Sequence, residues 1–352
     1  MPPLLRRFLF VVGIFSFFLR LGIIIEALCQ DDDIVSLVTP VYNKEHNQEL
    51  GLVKYFYHSS RANCRRILLL GVGTSMTVEN GYNRIATATV RRNPSLIVMI
   101  LDHHVHSIVK TSATRYAALS NQISLDFPLL LPDICGEEYT TSSSSDDDKH
   151  RQVEFLIGGH SSSGEAAMLA ALQEMFQFQP IGFVGLDPFE ISNRTMGYNF
   201  NSFVGDHAYL TMPALSFGFL ATTCWVKVEK AALAQYQRSN HSSRVLYLID
   251  NQRNGMTHCV FTDSGCGTWP LILCGGGDHD NPFQESVYEA FAESIQKFLH
   301  SISSGLFVKK DFELSTSIGT NVKLCVTNDE CSGADFHPIP STRGKESVVS
   351  SS

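Results

Sequence analysis

The chain has 352 residues, 44% hydrophobic and only 18% charged, with 23 Phe and 11 Tyr. Such length and apolar content can bury a large core, which excludes a wholly disordered chain. Its 25 Gly follow no fixed period, and 9 Cys are too sparse for a small disulfide scaffold. A formal net charge of −8, with no long Lys/Arg run, argues against a nucleic-acid partner.

Residues 1–29 read as a targeting segment. Arg6 and Arg7 precede the apolar run Phe8 to Leu19, and Ala27-Leu28-Cys29 offers a cleavage site before Gln30. This order fits a secretory signal peptide. The alternative is an uncleaved anchor giving membrane association, because apolar residues resume after Arg20 and reach Ala27. An Arg in mid-span costs roughly 2.5–3.5 kcal/mol, which favours cleavage. The expected location is therefore the secretory pathway, as a secreted or membrane-anchored protein, with a plastid reached by that route left open. Without Cys29 an even number of cysteines enters an oxidising compartment. Cys325 and Cys331 are spaced to close a small loop, while the pairing of Cys259, Cys266 and Cys274 stays open. None of the cysteines has paired CxxC spacing, so neither a metal nor any other cofactor is expected. Asn193-Arg194-Thr195 and Asn240-His241-Ser242 are glycosylation sequons.

Along residues 30–308, short apolar runs alternate with helical stretches. The runs Arg66–Gly71, Leu96–Leu101, Val153–Ile157, Ile181–Leu186, Ala214–Phe219 and Val245–Ile249 suit strands buried on both faces. Between them Gly81–Arg92, Ser107–Ile123, Glu165–Phe178 and Val226–Arg238 predict crossover helices. This alternation predicts a doubly wound, mostly parallel sheet with helices on both faces. Gln284–Leu299 predicts a final amphipathic helix, with Val287, Phe291, Ile295 and Phe298 at helical spacing. From 309 to 352 the Ser/Thr-rich composition predicts a flexible tail.

Chemistry concentrates where the strand Val153–Ile157 runs through Gly158-Gly159-His160-Ser161-Ser162-Ser163-Gly164 into an Ala-rich helix. A Ser between a buried strand and a helix predicts a nucleophile elbow with Ser161 as nucleophile. Small neighbours are needed because the nucleophile sits at strained backbone angles where strand and helix approach closely. The pattern departs from G-x-S-x-G in having Ser163 at the second Gly position, with Gly164 one place later. A serine hydroxyl needs a base and an orienting acid. Asp187 ends the next strand at the sheet rim, with Asp206 as a reserve. His258 follows the last strand by a short loop and is the favoured base; His279, within Gly277-Asp278-His279-Asp280, is the alternative. Chain order Ser, Asp, His holds for either. The oxyanion hole should use the N–H of Ser162 and one from the loop after Arg66–Gly71, with Thr74 first and Ser75 behind it. Gly71-Val72-Gly73 lacks the third Gly of a dinucleotide fingerprint.

Gly159-His160-Ser161, Gly185-Leu186-Asp187-Pro188, Thr211–Leu215 and Gly255-Met256-Thr257-His258 together resemble the chlorophyllase and platelet-activating-factor acetylhydrolase-like branch of the α/β-hydrolases. The resemblance covers about residues 50–305 and implies an α/β-hydrolase fold and a hydrophobic ester substrate. The His-Gly usual in that family after the early strand is replaced here by Val72-Gly73. A serine esterase is the expected activity; an inactive binding protein on the same fold is the alternative suggested by the irregular elbow.

Overall fold

The computed structural model describes residues 33–60, 65–73, 76–79, 81–103, 112–135, 153–188, 209–220, 232–251, 256–263, 282–318, 320, 322–326 and 331. The expected signal segment, Thr74, Ser75, Asp206, His279 and Asn193 lie outside them. Nine strands form one sheet. They are β1 (Ile34–Asn43), β2 (Gln48–His58), β3 (Arg66–Gly71), β4 (Leu96–Asp102), β5 (Glu154–His160), β6 (Pro180–Leu186), β7 (Ala214–Phe219), β8 (Arg244–Ile249) and β9 (Val322–Val326). The helices are α1 (Asn83–Arg92), α2 (Ala113–Cys135), α3 (Ser162–Leu172), α4 (Ala232–Gln237) and α5 (Gln284–Ser304). Among the described residues no helix is long and apolar enough to cross a membrane.

The strand order is β1-β2-β4-β3-β5-β6-β7-β8-β9. β2 runs antiparallel to both β1 and β4, and β9 antiparallel to β8, while the neighbours from β4 to β8 are parallel. The mostly parallel sheet, its β4-β3-β5 crossover and the strand–Ser–helix turn after β5 make this the α/β-hydrolase fold.

The continuous apolar strands are explained by two cores. Alternate side chains of one strand point to opposite faces. Leu68 and Leu70 of β3 join Ile85 of α1 and Val287, Phe291 and Phe298 of α5 on one face. Ile67 and Leu69 join Tyr116 and Leu119 of α2 and Ala166 and Ala170 of α3 on the other. Each fully buried aliphatic side chain contributes about 1.5–3 kcal/mol, so a strand with neither face wet can carry no polar alternation. The four apolar positions picked out by helical spacing in α5 are all buried.

Two parts of the sheet were not expected. The hairpin β1–β2 has several half-buried positions and lacks the continuous apolar signal of the central strands. The ordered chain also passes the boundary expected at 308, so the forecast of a flexible tail does not hold for the segment that leads into β9. There Phe312 is buried and its carbonyl accepts a hydrogen bond from Tyr247 Oη at 2.6 Å. β9 then pairs with β8 from Val245 to Ile249, and Cys325 is disulfide-bonded to Cys331. Cys135 and Cys259 each take part in a disulfide as well.

The anchor of this extension is Glu293 of α5, whose side chain is 2% exposed. Its carboxylate accepts from the Ser315 N–H at 2.8 Å, the Thr316 N–H at 3.1 Å, and both their hydroxyls at 2.9 Å. Lys297 Nζ lies 2.9 Å away. Burial alone would raise the Glu293 carboxyl, but these donors outweigh it and hold the group at about 2. A depressed folded value means the stabilisation is present above the ordinary value of 4.5 and is lost as pH falls towards about 2. Glu293→Gln should therefore cost roughly 2 kcal/mol at neutral pH. It should also flatten the acid limb of stability between pH 4.5 and about 2, as read by urea unfolding across that range.

Candidate active site

β5 ends at His160 and α3 begins at Ser162, leaving Ser161 alone at the turn. Its backbone has φ 57° and ψ −131°, a left-handed geometry that costs a non-glycine residue about 1–3 kcal/mol. Neighbouring backbone enforces it: the Ser161 N–H donates to Leu186 O at 3.0 Å, and Ser161 O accepts from the Gly164 N–H at 3.0 Å. Close packing completes the elbow. A Cβ on Gly159 would lie 2.7 Å from the carbonyl carbon of Ser163, and one on Gly164 would lie 2.6 Å from Pro188 Cβ.

Ser163, the irregular member of the motif, fits because the opposite wall has been cut back. Gly71 faces it from the end of β3, where an added Cβ would lie 2.7 Å from Ser163 Cβ. The Ser163 hydroxyl is fully buried and donates to Val72 O. A serine is thus accommodated by a glycine across the gap and by one backbone acceptor.

Asp187 directly follows β6, again with a positive φ of 37°, and its N–H donates to Phe217 O at 2.7 Å. Its Oδ2 lies 2.6 Å from His258 Nδ1, with the two side chains 2% and 3% exposed. A carboxylate can only accept, so Nδ1 carries the proton and Nε2 is left as the basic nitrogen. The sequence-expected acid and base are therefore brought together, across 71 residues. Ser161, 5% exposed, heads the helix beside them, and Ser162 occupies the first position of α3. The first-turn N–H groups of a helix have no acceptor within it and carry the positive end of its dipole.

His258 opens a 3-10 turn, His258–Phe261, that is held from several sides. Asp263 accepts from the N–H groups of Asn83 and Arg84 at 2.5 and 2.9 Å, capping α1 from a distant part of the chain. Its own N–H donates to Gly81 O at 2.8 Å. Gln284 Nε2 at the start of α5 donates to Thr262 O at 2.7 Å. His160 Nε2 lies 3.0 Å from His258 O, and the two imidazole rings stack at 4.3 Å between centroids and 27° between planes. His160 Nδ1 in turn lies 2.8 Å from Tyr82 Oη, which accepts from the Gly73 N–H at 2.8 Å.

These supporting residues were not assigned roles from sequence. His160 stood inside the motif without a role, and its place directly before Ser161 was the one available signal. Tyr82, Asp263 and Gln284 had no local signal, because their partners lie far away in the chain. Among the described residues no group of three or more His, Cys, Asp or Glu side chains is arranged to hold a metal ion.

The Gly71–Ser163 contact yields a stability test. Gly71→Ala should destabilise the fold by about 1–3 kcal/mol through overpacking. Adding Ser163→Gly should recover part of that loss, a non-additivity that paired denaturant titrations would reveal.

No family profile matches the sequence, and no curated protein matches it. Among solved structures it is similar to a mutant of the esterase E40, at 13% identity and TM-score 0.44, over 77% of this chain and 87% of that one. It is also similar to Est1E from Butyrivibrio proteoclasticus, at 12% identity and TM-score 0.43, over 75% and 99%. An arylesterase is similar at 8% identity and TM-score 0.43, over 76% and 87%. At TM-scores this low the fold rests on the chain's own strand order and elbow, and by these the chain has the α/β-hydrolase fold.

Proposed function

We propose that the chain is a serine carboxylic-ester hydrolase with Ser161 as nucleophile, His258 as base and Asp187 as orienting acid. The observation that carries this reading is the buried 2.6 Å hydrogen bond from His258 Nδ1 to Asp187 at the rim beside the strained Ser161. A carboxylate on the histidine Nδ1, beside a serine on a strained strand-to-helix turn, is the arrangement that a Ser-His-Asp triad requires.

In the reaction Ser161 Oγ attacks the ester carbonyl carbon while His258 Nε2 takes its proton. Asp187 holds the ring and stabilises the imidazolium that forms. The N–H groups of Ser162 and Thr74 receive the negative charge that develops on the carbonyl oxygen. The tetrahedral intermediate collapses, His258 returns the proton to the departing alcohol, and an acyl-Ser161 ester remains. Water, deprotonated by His258, attacks that ester; collapse frees the acid and returns the proton to Ser161.

The proposed substrate is a hydrophobic ester, on the strength of the sequence resemblance to chlorophyllases. The irregular elbow had suggested an inactive binding protein; with Ser163 satisfied by Val72 O opposite Gly71, that irregularity lends the alternative no support. A secretory route is also proposed. It is supported by the basic-then-apolar segment 1–29 and by the disulfide-bonded Cys135, Cys259, Cys325 and Cys331.

The test is hydrolysis of p-nitrophenyl butyrate. Ser161→Ala should lower kcat by roughly 10⁴-fold or more, and Asp187→Asn by roughly 10³–10⁴-fold. Hydrolysis that survives Ser161→Ala would overturn the assignment of the nucleophile. For the secretory route, N-terminal sequencing of protein recovered from the medium of secreting cells should begin at Gln30; a chain found only in the membrane fraction, with its N-terminal segment retained, would establish the anchor.

A further inference from the structure

Four groups form one buried line between the loop after β3 and the turn that carries His258. Gly73 N–H, Tyr82 Oη, the two nitrogens of His160 and the carbonyl of His258 follow one another at 2.8, 2.8 and 3.0 Å. Tyr82 and His160 are 0% and 1% exposed. The proton positions along this line follow from chemistry. Gly73 N–H can only donate, so Tyr82 Oη accepts there and directs its single proton to His160 Nδ1. His258 O can only accept, so His160 carries its proton on Nε2. Every member is satisfied in this one arrangement, in which His160 is neutral. Burial, and then the neighbouring His258, push the His160 imidazole well below its ordinary value, which agrees with that arrangement. Burial likewise pushes the Tyr82 hydroxyl up, so it stays a donor.

The line ends at two places where ester hydrolysis would need sub-ångström placement. At one end is the backbone of the residue before Thr74. At the other is the backbone of the base itself, whose ring is also stacked on His160. In the middle is the residue bonded directly to the nucleophile. We propose that Tyr82 and His160 are positioning residues that fix the oxyanion loop and His258 relative to Ser161. This rests on the functional reading above, and it adds specific roles for a tyrosine and a histidine that touch no reacting atom. A closely packed hydrophobic residue at position 160 would fill the space but remove the donor to His258 O and the acceptor for the Tyr82 hydroxyl proton.

The experiment joins kinetics to a readout independent of activity. Tyr82→Phe removes one oxygen and keeps the ring, so packing is preserved. It should lower kcat for p-nitrophenyl butyrate about tenfold, as expected for one buried hydrogen bond, with KM within about twofold. His160→Ala should lose more, and His160→Gln, whose amide N–H can still reach His258 O, should recover part of that loss. In parallel, ¹⁵N-histidine NMR of the full chain should show His160 as the neutral Nε2–H tautomer. The ring signals of His258 should shift in Tyr82→Phe.

Unchanged kcat in a folded Tyr82→Phe, or a change confined to KM, would overturn the proposal. So would a His160 that is protonated at pH 6 or carries its proton on Nδ1, a result that needs only the wild-type chain should the variants not fold. If hydrolysis does not depend on Ser161, the functional reading fails by itself. The NMR then decides the positioning line alone: shifted His258 signals in Tyr82→Phe uphold it and unmoved ones refute it.

Discussion

The close approach of α3 to β3 and β5 is the constraint from which the site follows. Ser161 occupies a backbone geometry that a serine avoids, and only packing on all sides makes it persist. The approach is possible because Gly71, Gly159 and Gly164 carry no Cβ where one would meet neighbouring atoms at 2.6–2.8 Å. The energetic logic is an exchange within the fold. Two buried cores on either side of the sheet supply stabilisation many times larger than the 1–3 kcal/mol held at the turn. The strain falls at the single residue between the end of β5 and the first turn of α3. Asp187 repeats the device at the end of β6, with its own positive φ. Two adjacent parallel strands thus present their terminal side chains at one rim.

A second constraint is electrostatic. Asp187, His160 and His258 are nearly fully buried, and a buried polar group without a partner costs several times what a satisfied one contributes. The rim is therefore a set of mutually satisfied groups. Asp187 accepts from His258; His258 O accepts from His160; His160 accepts from Tyr82; and Tyr82 accepts from Gly73. Around it, Asp263 and Gln284 tie the same turn to the starts of α1 and α5. Helices from different parts of the chain are joined here by polar contacts, while their bodies are joined by apolar ones. In such a network each contact limits the freedom of the next, so His258 is held by two helices and by the elbow.

The same contrast explains what could be read in the sequence. The central strands were legible because burial on both faces forces unbroken apolar runs such as Ile67–Leu70. Ser161, Asp187 and His258 were legible because each stands at the end of such a run or a short loop beyond it. The hairpin β1–β2 was obscured because half-wet strands mix polar residues into the pattern, with Ser36, Gln48 and Glu49 among them. Pro40 is tolerated because β1 is the sheet's terminal strand, where a missing N–H need not break a ladder. β9 was hidden in Ser/Thr-rich sequence, since what orders its approach is a carboxylate on α5, some twenty residues away in the chain. Tyr82 was invisible for the same reason. Its value lies in two distant partners, Gly73 and His160, that only the folded chain supplies.

That hidden strand bears on the site through β8. Without β9, β8 would be an edge strand, paired to β7 alone and open on its other side. With β9 in place it is held by two ladders, parallel on one side and antiparallel on the other. The segment leading to His258 leaves the sheet where β8 ends, and both sides grip that point. Ile249 O accepts from the Leu220 N–H at 2.9 Å, and Asp250 O accepts from Thr320 Oγ1 at 2.8 Å. The C-terminal extension therefore anchors the chain where it leaves β8 towards His258, as Asp263, Gln284 and His160 anchor the turn that carries it. Glu293 ties the turn through Ser315 and Thr316 to α5, the helix that also supplies Gln284. One helix, α5, thus makes polar contacts both with the segment that leads to β9 and with the turn that follows His258.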